Sequence, residues 1–253
     1  MRIFTIDVGN TNTHCAAVEA GQVCASCDFP TSNFAESLDF AKLCAGAFDG
    51  VCWCSVVPGV SERLSEKLSH IPLGAVNLSY KNSPLKIDLK APESLGQDRL
   101  AVAIGASKFL KPPYIVADMG TAVTIDLVDA SNTYAGGAIA PGLAAFTSYL
   151  NEKTAQLPLI DIANADYGMS VGKDTVEAMS VGCVKGFCKL ADGIISDIER
   201  DFFGTKSAFN KTIFTGGYVK LLPKKWLAGR LVEPNLANIG LAIAFELISK
   251  KTI

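Results

Sequence analysis

The chain has few histidines (His14 and His70) and only two tryptophans among 253 residues. Charge is sparse as well: Asp, Glu, Lys and Arg make up 19% and leave a formal net charge of -2. Such a balance gives no reason to expect nucleic acid or an anionic membrane as a partner. No apolar run approaches the length of a membrane span, and Asp7 interrupts the N-terminus too early for a secretory signal. Low-complexity tracts and short repeats are missing too. Together these absences lead to the expectation of a cytoplasmic protein without nucleic-acid or membrane partners.

Scarce histidine also limits metal chemistry. Eight cysteines are present, and Cys24-Ala25-Ser26-Cys27 has metal-ligand or redox spacing. A zinc site needs a second convincing pair, and none is visible. Cys52 and Cys54 alternate with apolar neighbours around Trp53, while Cys183 and Cys188 fall in a helical pattern. Free, mostly buried cysteines in a reducing compartment are therefore expected.

Hydrophobic residues make up 49%, enough for one large domain or two modest ones with proper cores. Two runs stand out: Asp7-Val8-Gly9-Asn10-Thr11 and Asp118-Met119-Gly120-Thr121-Ala122. Each follows an apolar strand pattern and leads into another strand. Glycine lets backbone N–H groups approach phosphate oxygens, the hydroxyl adds a donor, and the acid can hold a cation or its water shell. Setting Asp7 over Asp118 places Asn12 to Val18 over Val123 to Asp129, so both halves read strand, acidic turn, strand, turn, strand. Val123, Ile125 and Leu127 alternate with Thr124, Asp126 and Val128, a period of two. The connection is thus a hairpin, which argues against a dinucleotide-binding βαβ unit, whose glycines open a helix. A duplicated α/β fold of mixed sheets follows, with domains over 1–113 and 114–253 and a nucleotide in a cleft between them.

Helical patterns are predicted over Asn33 to Ala47, Val60 to Leu68, Asp98 to Phe109, Lys173 to Phe203 and Leu236 to Lys250. In the longest, Val176, Met179, Cys183, Phe187, Leu190, Ile194 and Ile198 make the expected buried stripe.

Three places could carry chemistry beyond the two runs. Gly96-Gln97-Asp98-Arg99 puts an acid beside a base at a helix start. The carboxylate can take a proton from a hydroxyl, and the arginine fork can pair with a substrate carboxylate. A dipole-favoured helix-start acid with a solvated arginine is the plainer alternative. Thr175 opens the longest helix, where free N–H groups and a hydroxyl suit an anion, or a plain first-turn threonine. Thr215-Gly216-Gly217 ends a strand, where glycine lets a ring or ribose lie on backbone. A simple turn is the alternative there. Gly136-Gly137 and Pro141-Gly142 are read as shaping a turn or an interface.

The ordered set D-x-G-N-T, G-x-D-R, D-x-G-T-A-x-T-x-D, G-G-x-I-x-P-G and a late T-G-G resembles type III pantothenate kinase, over nearly the whole chain. That family belongs to the acetate and sugar kinase, Hsc70 and actin superfamily, so the resemblance implies two actin-like (ribonuclease H-like) domains. It implies ATP-dependent phosphorylation of pantothenate, the first step toward coenzyme A. Residues Asp7, Val8, Gly9, Asn10, Thr11, Asn12, Thr13 and His14 would form the first phosphate loop. Asp98 would be the catalytic base, with Gly96, Gln97, Arg99 and Thr175 lining the pantothenate site. Thr121, Gly216 and Gly217 would contact ATP, and Asp118 would bind a monovalent cation, potassium or ammonium. Magnesium and a homodimer are implied as well. Two positions depart from the family: His14 stands where lysine or arginine is usual, and Leu89 occupies a region that commonly holds a tyrosine. Two alternatives stay open here, another small-molecule kinase of the superfamily and a non-catalytic accessory factor for gene expression. The Asp98-Arg99 pair, which binding alone does not require, weighs against the second.

Overall fold

A computed structural model describes residues 1–34, 48–70, 74–165, 167–204 and 211–250. Most of the helix expected over Asn33 to Ala47 lies outside the described residues. The elements, in chain order, are β1 (Arg2–Val8), β2 (Asn12–Glu19), β3 (Gln22–Pro30), β4 (Gly50–Ser55), α1 (Pro58–Ser69), β5 (Ala75–Asn77), β6 (Lys86–Ile87) and α2 (Gln97–Ala106). There follow β7 (Tyr114–Met119), β8 (Ala122–Val128), β9 (Thr133–Pro141), α3 (Leu143–Lys153), α4 (Thr175–Met179), α5 (Gly186–Phe203), β10 (Thr212–Thr215), α6 (Lys224–Leu227), β11 (Leu231–Val232) and α7 (Leu236–Ser249).

Contacts divide the chain into two units. The first holds Met1–Pro112, Ala130–Ala135 and Asn235–Ile253, and the second holds Pro113–Asp129 and Gly136–Pro234. The last helix, read from sequence as part of the second half, thus packs with the first unit. Within that unit α7 is apolar nearly all round, the pattern of a buried helix. It crosses α2 where two glycines meet: a Cβ on Gly240 would overlap the Ala101 carbonyl, and one on Gly105 the Leu236 carbonyl. The Thr5 hydroxyl donates to Asn238 Oδ1 at 2.9 Å, tying α7 to β1.

The first unit's sheet has the order β3-β2-β1-β4-β5, antiparallel across β1, β2 and β3 and parallel from β1 to β4 and β5. One face carries Phe4, Ile6, Val8, Cys15, Val51 and Trp53 against α1, whose Val60, Leu64 and Leu68 recur every four residues. The opposite face carries Thr5 and Asp7 and is the one α7 covers. In the second unit the strands run β9-β8-β7-β10-β11, with β7 antiparallel to β8 and parallel to β10. The same order recurs around β1 and β7, each antiparallel to its hairpin partner and parallel to a later strand, which is the expected duplication.

Two details differ from the sequence reading. Thr13 pairs with Val8 and Val123 pairs with Met119, so the first hairpin turn spans Gly9 to Asn12 and the second only Gly120 to Ala122. The structural equivalent of Val123 is therefore Thr13, one place beyond the sequence alignment. The helix over 173–203 is also not uniform. Ser180–Lys185 forms a π-helical turn between α4 and α5, and its extra residue shifts the buried face. Met179, Cys183 and Phe187 are buried as expected, but beyond them burial falls on Cys188, Ala191, Ile195 and Glu199. Val176 is 50% exposed.

Candidate active site

The first acidic loop is built by the β1–β2 hairpin. Gly9 N–H donates to the Asn12 carbonyl at 3.0 Å, closing a turn that leaves Asn10, Thr11 and Asn12 exposed. A side chain on Gly9 would press on that carbonyl at 2.9 Å. Val8 and Thr13, both assigned to the phosphate loop from sequence, are buried and shape the loop from inside. Thr31, which sequence reasoning missed, braces it: its hydroxyl donates to the Gly9 carbonyl at 2.7 Å and meets Thr13 Oγ1 at 3.0 Å. Nothing in the spacing marks Thr31, because its role depends on the β2–β3 register.

Across the sheet from Asp7 lie His14 on β2 and Cys54 on β4, and across from His14 lies Asp28 on β3. Directly paired residues share a face, so the four form a row from the exposed edge to the interior. The Cys54 thiol donates to Asp7 Oδ1 at 3.2 Å, and His14 Nδ1 stands 2.8 Å from Asp28 Oδ1. Asp98 acts on Asp7 as well. Burial, and then the like charge of Asp98, push the Asp7 carboxyl from 3.8 up to about 6, against the opposing pull of Cys54 and His14. The structure thus brings Asp7, Asp98 and His14 together within the first unit.

Asp98 sits in the first turn of α2, with Gly96 as its N-cap residue. The carboxylate accepts the Arg99 N–H at 2.7 Å, and a Cβ on Gly96 would stand 2.6 Å from the same oxygen. Gly96 is therefore the residue that leaves the acid its place. Gln97 Oε1 accepts the Ser55 N–H at 2.8 Å, fastening this helix start to the end of β4. The Arg99 guanidinium lies 5.9 Å from the ring centre of buried Tyr134. An aromatic neighbour that the local sequence lacks is thus supplied from β9.

The second acidic loop is enclosed by glycines. Gly216, at φ 95°, would drive a Cβ into Asp118 Oδ1 and, at 2.6 Å, the Met119 carbonyl. Tyr218 N–H donates to that carbonyl at 2.9 Å. Gly142 donates its N–H to the Thr121 carbonyl at 3.0 Å, and a Cβ there would overlap the loop. Gly142 therefore braces the loop itself, a closer role than the turn read from sequence. Gly217 is exposed with open space around it, and Thr121 is exposed at the loop tip. Thr124 and Thr215 flank Asp118 in the sheet, and Thr124 donates to Asp126 Oδ2 at 3.1 Å.

Thr175 opens α4 behind an Asp174 cap that accepts Glu177 N–H at 2.8 Å. It lines a mostly apolar hollow of about 710 Å³ with Phe146, Tyr149, Leu150, Met179 and Cys183. Among the described residues no three His, Cys, Asp or Glu side chains cluster as a metal cage, and no helix is long and apolar enough to cross a membrane.

Known proteins resemble the chain in sequence and in fold. The family described as type III pantothenate kinase matches residues 3–197. A type III pantothenate kinase from Sulfurihydrogenibium sp. (strain YO3AOP1) is 34% identical over 94% of this chain and 97% of its own. One from Akkermansia muciniphila is 36% identical over 78% of each chain. Among solved structures, a ROK family glucokinase from Streptomyces griseus in complex with glucose and AMPPNP superposes with a TM-score of 0.58 at 13% identity, covering 99% of this chain and 100% of that one. The fold is that of the actin-like ATPases and sugar kinases, and the chain belongs to the type III pantothenate kinase family.

Proposed function

We propose that the chain transfers a phosphoryl group from ATP to the primary hydroxyl of pantothenate, giving phosphopantothenate, the first step of coenzyme A biosynthesis. The observation that carries this reading is Asp98, held at the start of α2 beside Asp7 in a chain that matches the family over residues 3–197.

Phosphoryl transfer asks the protein for position and charge more than for covalent chemistry. Asp98 takes the hydroxyl proton onto its carboxylate as the oxygen attacks, and the Arg99 N–H keeps that carboxylate oriented. In the first unit the Arg99 guanidinium pairs with the pantothenate carboxylate, and in the second Thr175 offers a hydroxyl suited to pantothenate. Backbone N–H groups of each acidic loop, with Asn10 and Thr11 in the first unit and Thr121 in the second, are donors suited to phosphate. Gly216 and Gly217 lie along the nucleoside.

The donor sets fit the implied ions. Asp118 Oδ1 and the Met119 carbonyl lie together against Gly216, hard oxygens suited to a potassium or ammonium ion. A magnesium ion carried by the nucleotide would need one or two carboxylates, and Asp7 stands at the first acidic loop to supply one. Such ions supply neutralisation of phosphate charge. Free cysteines among the described residues suit a cytoplasmic setting, and exposed Tyr149 lining the Thr175 hollow gives a homodimer apolar surface to bury.

An ADP-release assay with ATP, magnesium and potassium tests the reading. Release that depends on pantothenate, with phosphopantothenate detected by mass, is expected. Folded protein that yields no such product overturns it.

A further inference from the structure

His14 is held on two sides. It pairs with Asp7 across β1–β2 and with Asp28 across β2–β3, so all three side chains lie on one face of the sheet. Asp7 responds to both His14 and Asp98, which places the ring on the side of the two carboxylates rather than in the α1 core. The Asp28 contact is the one with a defined geometry, Nδ1 to Oδ1 at 2.8 Å. An ionised carboxylate can only accept, so Nδ1 carries the proton in that contact. The second ring nitrogen, Nε2, has no hydrogen-bond partner among the described residues.

We propose that Asp28 is a positioning residue for ATP binding: it fixes the His14 ring by Nδ1 so that Nε2, a donor in the imidazolium form, faces the phosphates held at the first acidic loop. This rests on the kinase reading above. Asp28 touches no phosphate in this account. It acts by removing the ring's freedom to rotate and by settling which nitrogen points outward, as carboxylates do for ligand-binding histidines elsewhere. As a stability element the pair is minor, because Asp28 is 70% exposed and the His14 side chain 39%. A pair that adds so little to folding, yet sits beside the loop acid, is suited to orienting a group for binding.

The test compares Asp28→Asn, Asp28→Ser, Asp28→Glu, His14→Gln and the double variant His14→Gln/Asp28→Asn at one pH. Asp28→Asn and Asp28→Ser are expected to raise the KM for ATP about three- to tenfold with kcat and the KM for pantothenate within about twofold, the range of one oriented charged hydrogen bond. Asp28→Glu is expected to restore part of the loss. In the His14→Gln background, Asp28→Asn is expected to add nothing, since the ring it positions is gone. Titration with a non-hydrolysable ATP analogue reads the same order with no acceptor present, so failure of the pantothenate assignment leaves this test intact. An unchanged ATP affinity in Asp28→Asn and Asp28→Ser would overturn the proposal, and so would an equal loss with and without His14.

Discussion

Asp7 and Asp118 hold equivalent places, each near the end of a strand that pairs antiparallel with its hairpin partner and parallel with a later strand. Their neighbours are not equivalent. Asp7 lies between a histidine and a cysteine and feels the charge of a second acid, so its proton is held up to about pH 6. Asp118 lies between two threonines, with Gly216 pressed against its carboxylate. One copy of the duplicated hairpin therefore concentrates titratable groups, and the other replaces them with hydroxyls and backbone. We read the first loop as the part that manages phosphate and proton charge, and the second as an oxygen-lined cradle.

The contrast can be broken most forcefully at Asp98. Asp98→Asn should fold and bind ATP while losing about a hundred- to ten-thousand-fold in kcat, the usual range for a general base. Near-normal turnover would remove the base from the first loop's neighbourhood. Next in size is the cradle: Asp118→Ala should abolish the difference between potassium and sodium in an assay where the wild type prefers potassium. A preference that survives the substitution would place the ion elsewhere.

Smaller effects sharpen the picture. Gly216→Ala should destabilise the protein by about 1–3 kcal/mol, through its positive φ and its overlap with Asp118. Gly217→Ala, with open space around it, should stay within about 0.5 kcal/mol. Denaturant midpoints of the two variants settle that difference. Another small effect is expected for Cys54→Ala. Losing the thiol donor should cost about 1 kcal/mol or less and raise the Asp7 pKa further, since that hydrogen bond favours the carboxylate. Carbon-13 NMR of labelled aspartate would follow the shift.

Much of this was legible in the sequence because it rests on local signals. Alternation in Val123 to Val128 marked β8, and an acid after an apolar strand marked both loops. The ordered motifs identified Asp98 and Arg99. What escaped notice depends on distant packing. Thr31 and Gly142 reach the loops through strand register, and Tyr134 reaches Arg99 from β9. The return of α7 to the first unit rests on Gly105 and Gly240, whose close approach no single-helix pattern encodes. The π turn at Ser180–Lys185 shifted burial by one residue because periodicity assumes a uniform helix. His14 is a mixed case: its place in the motif was plain, but its partner Asp28 became visible only in the β2–β3 register.

The unfavourable setting in which Asp7 is held is tested directly by the stability of Asp7→Asn against pH. A carboxyl raised from 3.8 to about 6 binds its proton more tightly in the folded protein, so the wild type loses stability as pH rises across that interval. At 1.36 kcal/mol per unit the loss is about 1–3 kcal/mol once screening is allowed for. Urea unfolding with a metal chelator present, from about pH 4 to pH 7.5, should therefore show the variant gaining on the wild type as pH rises and levelling off above about pH 6 to 7. A stability difference that is constant with pH, or one that favours the wild type more at high pH, would contradict the account.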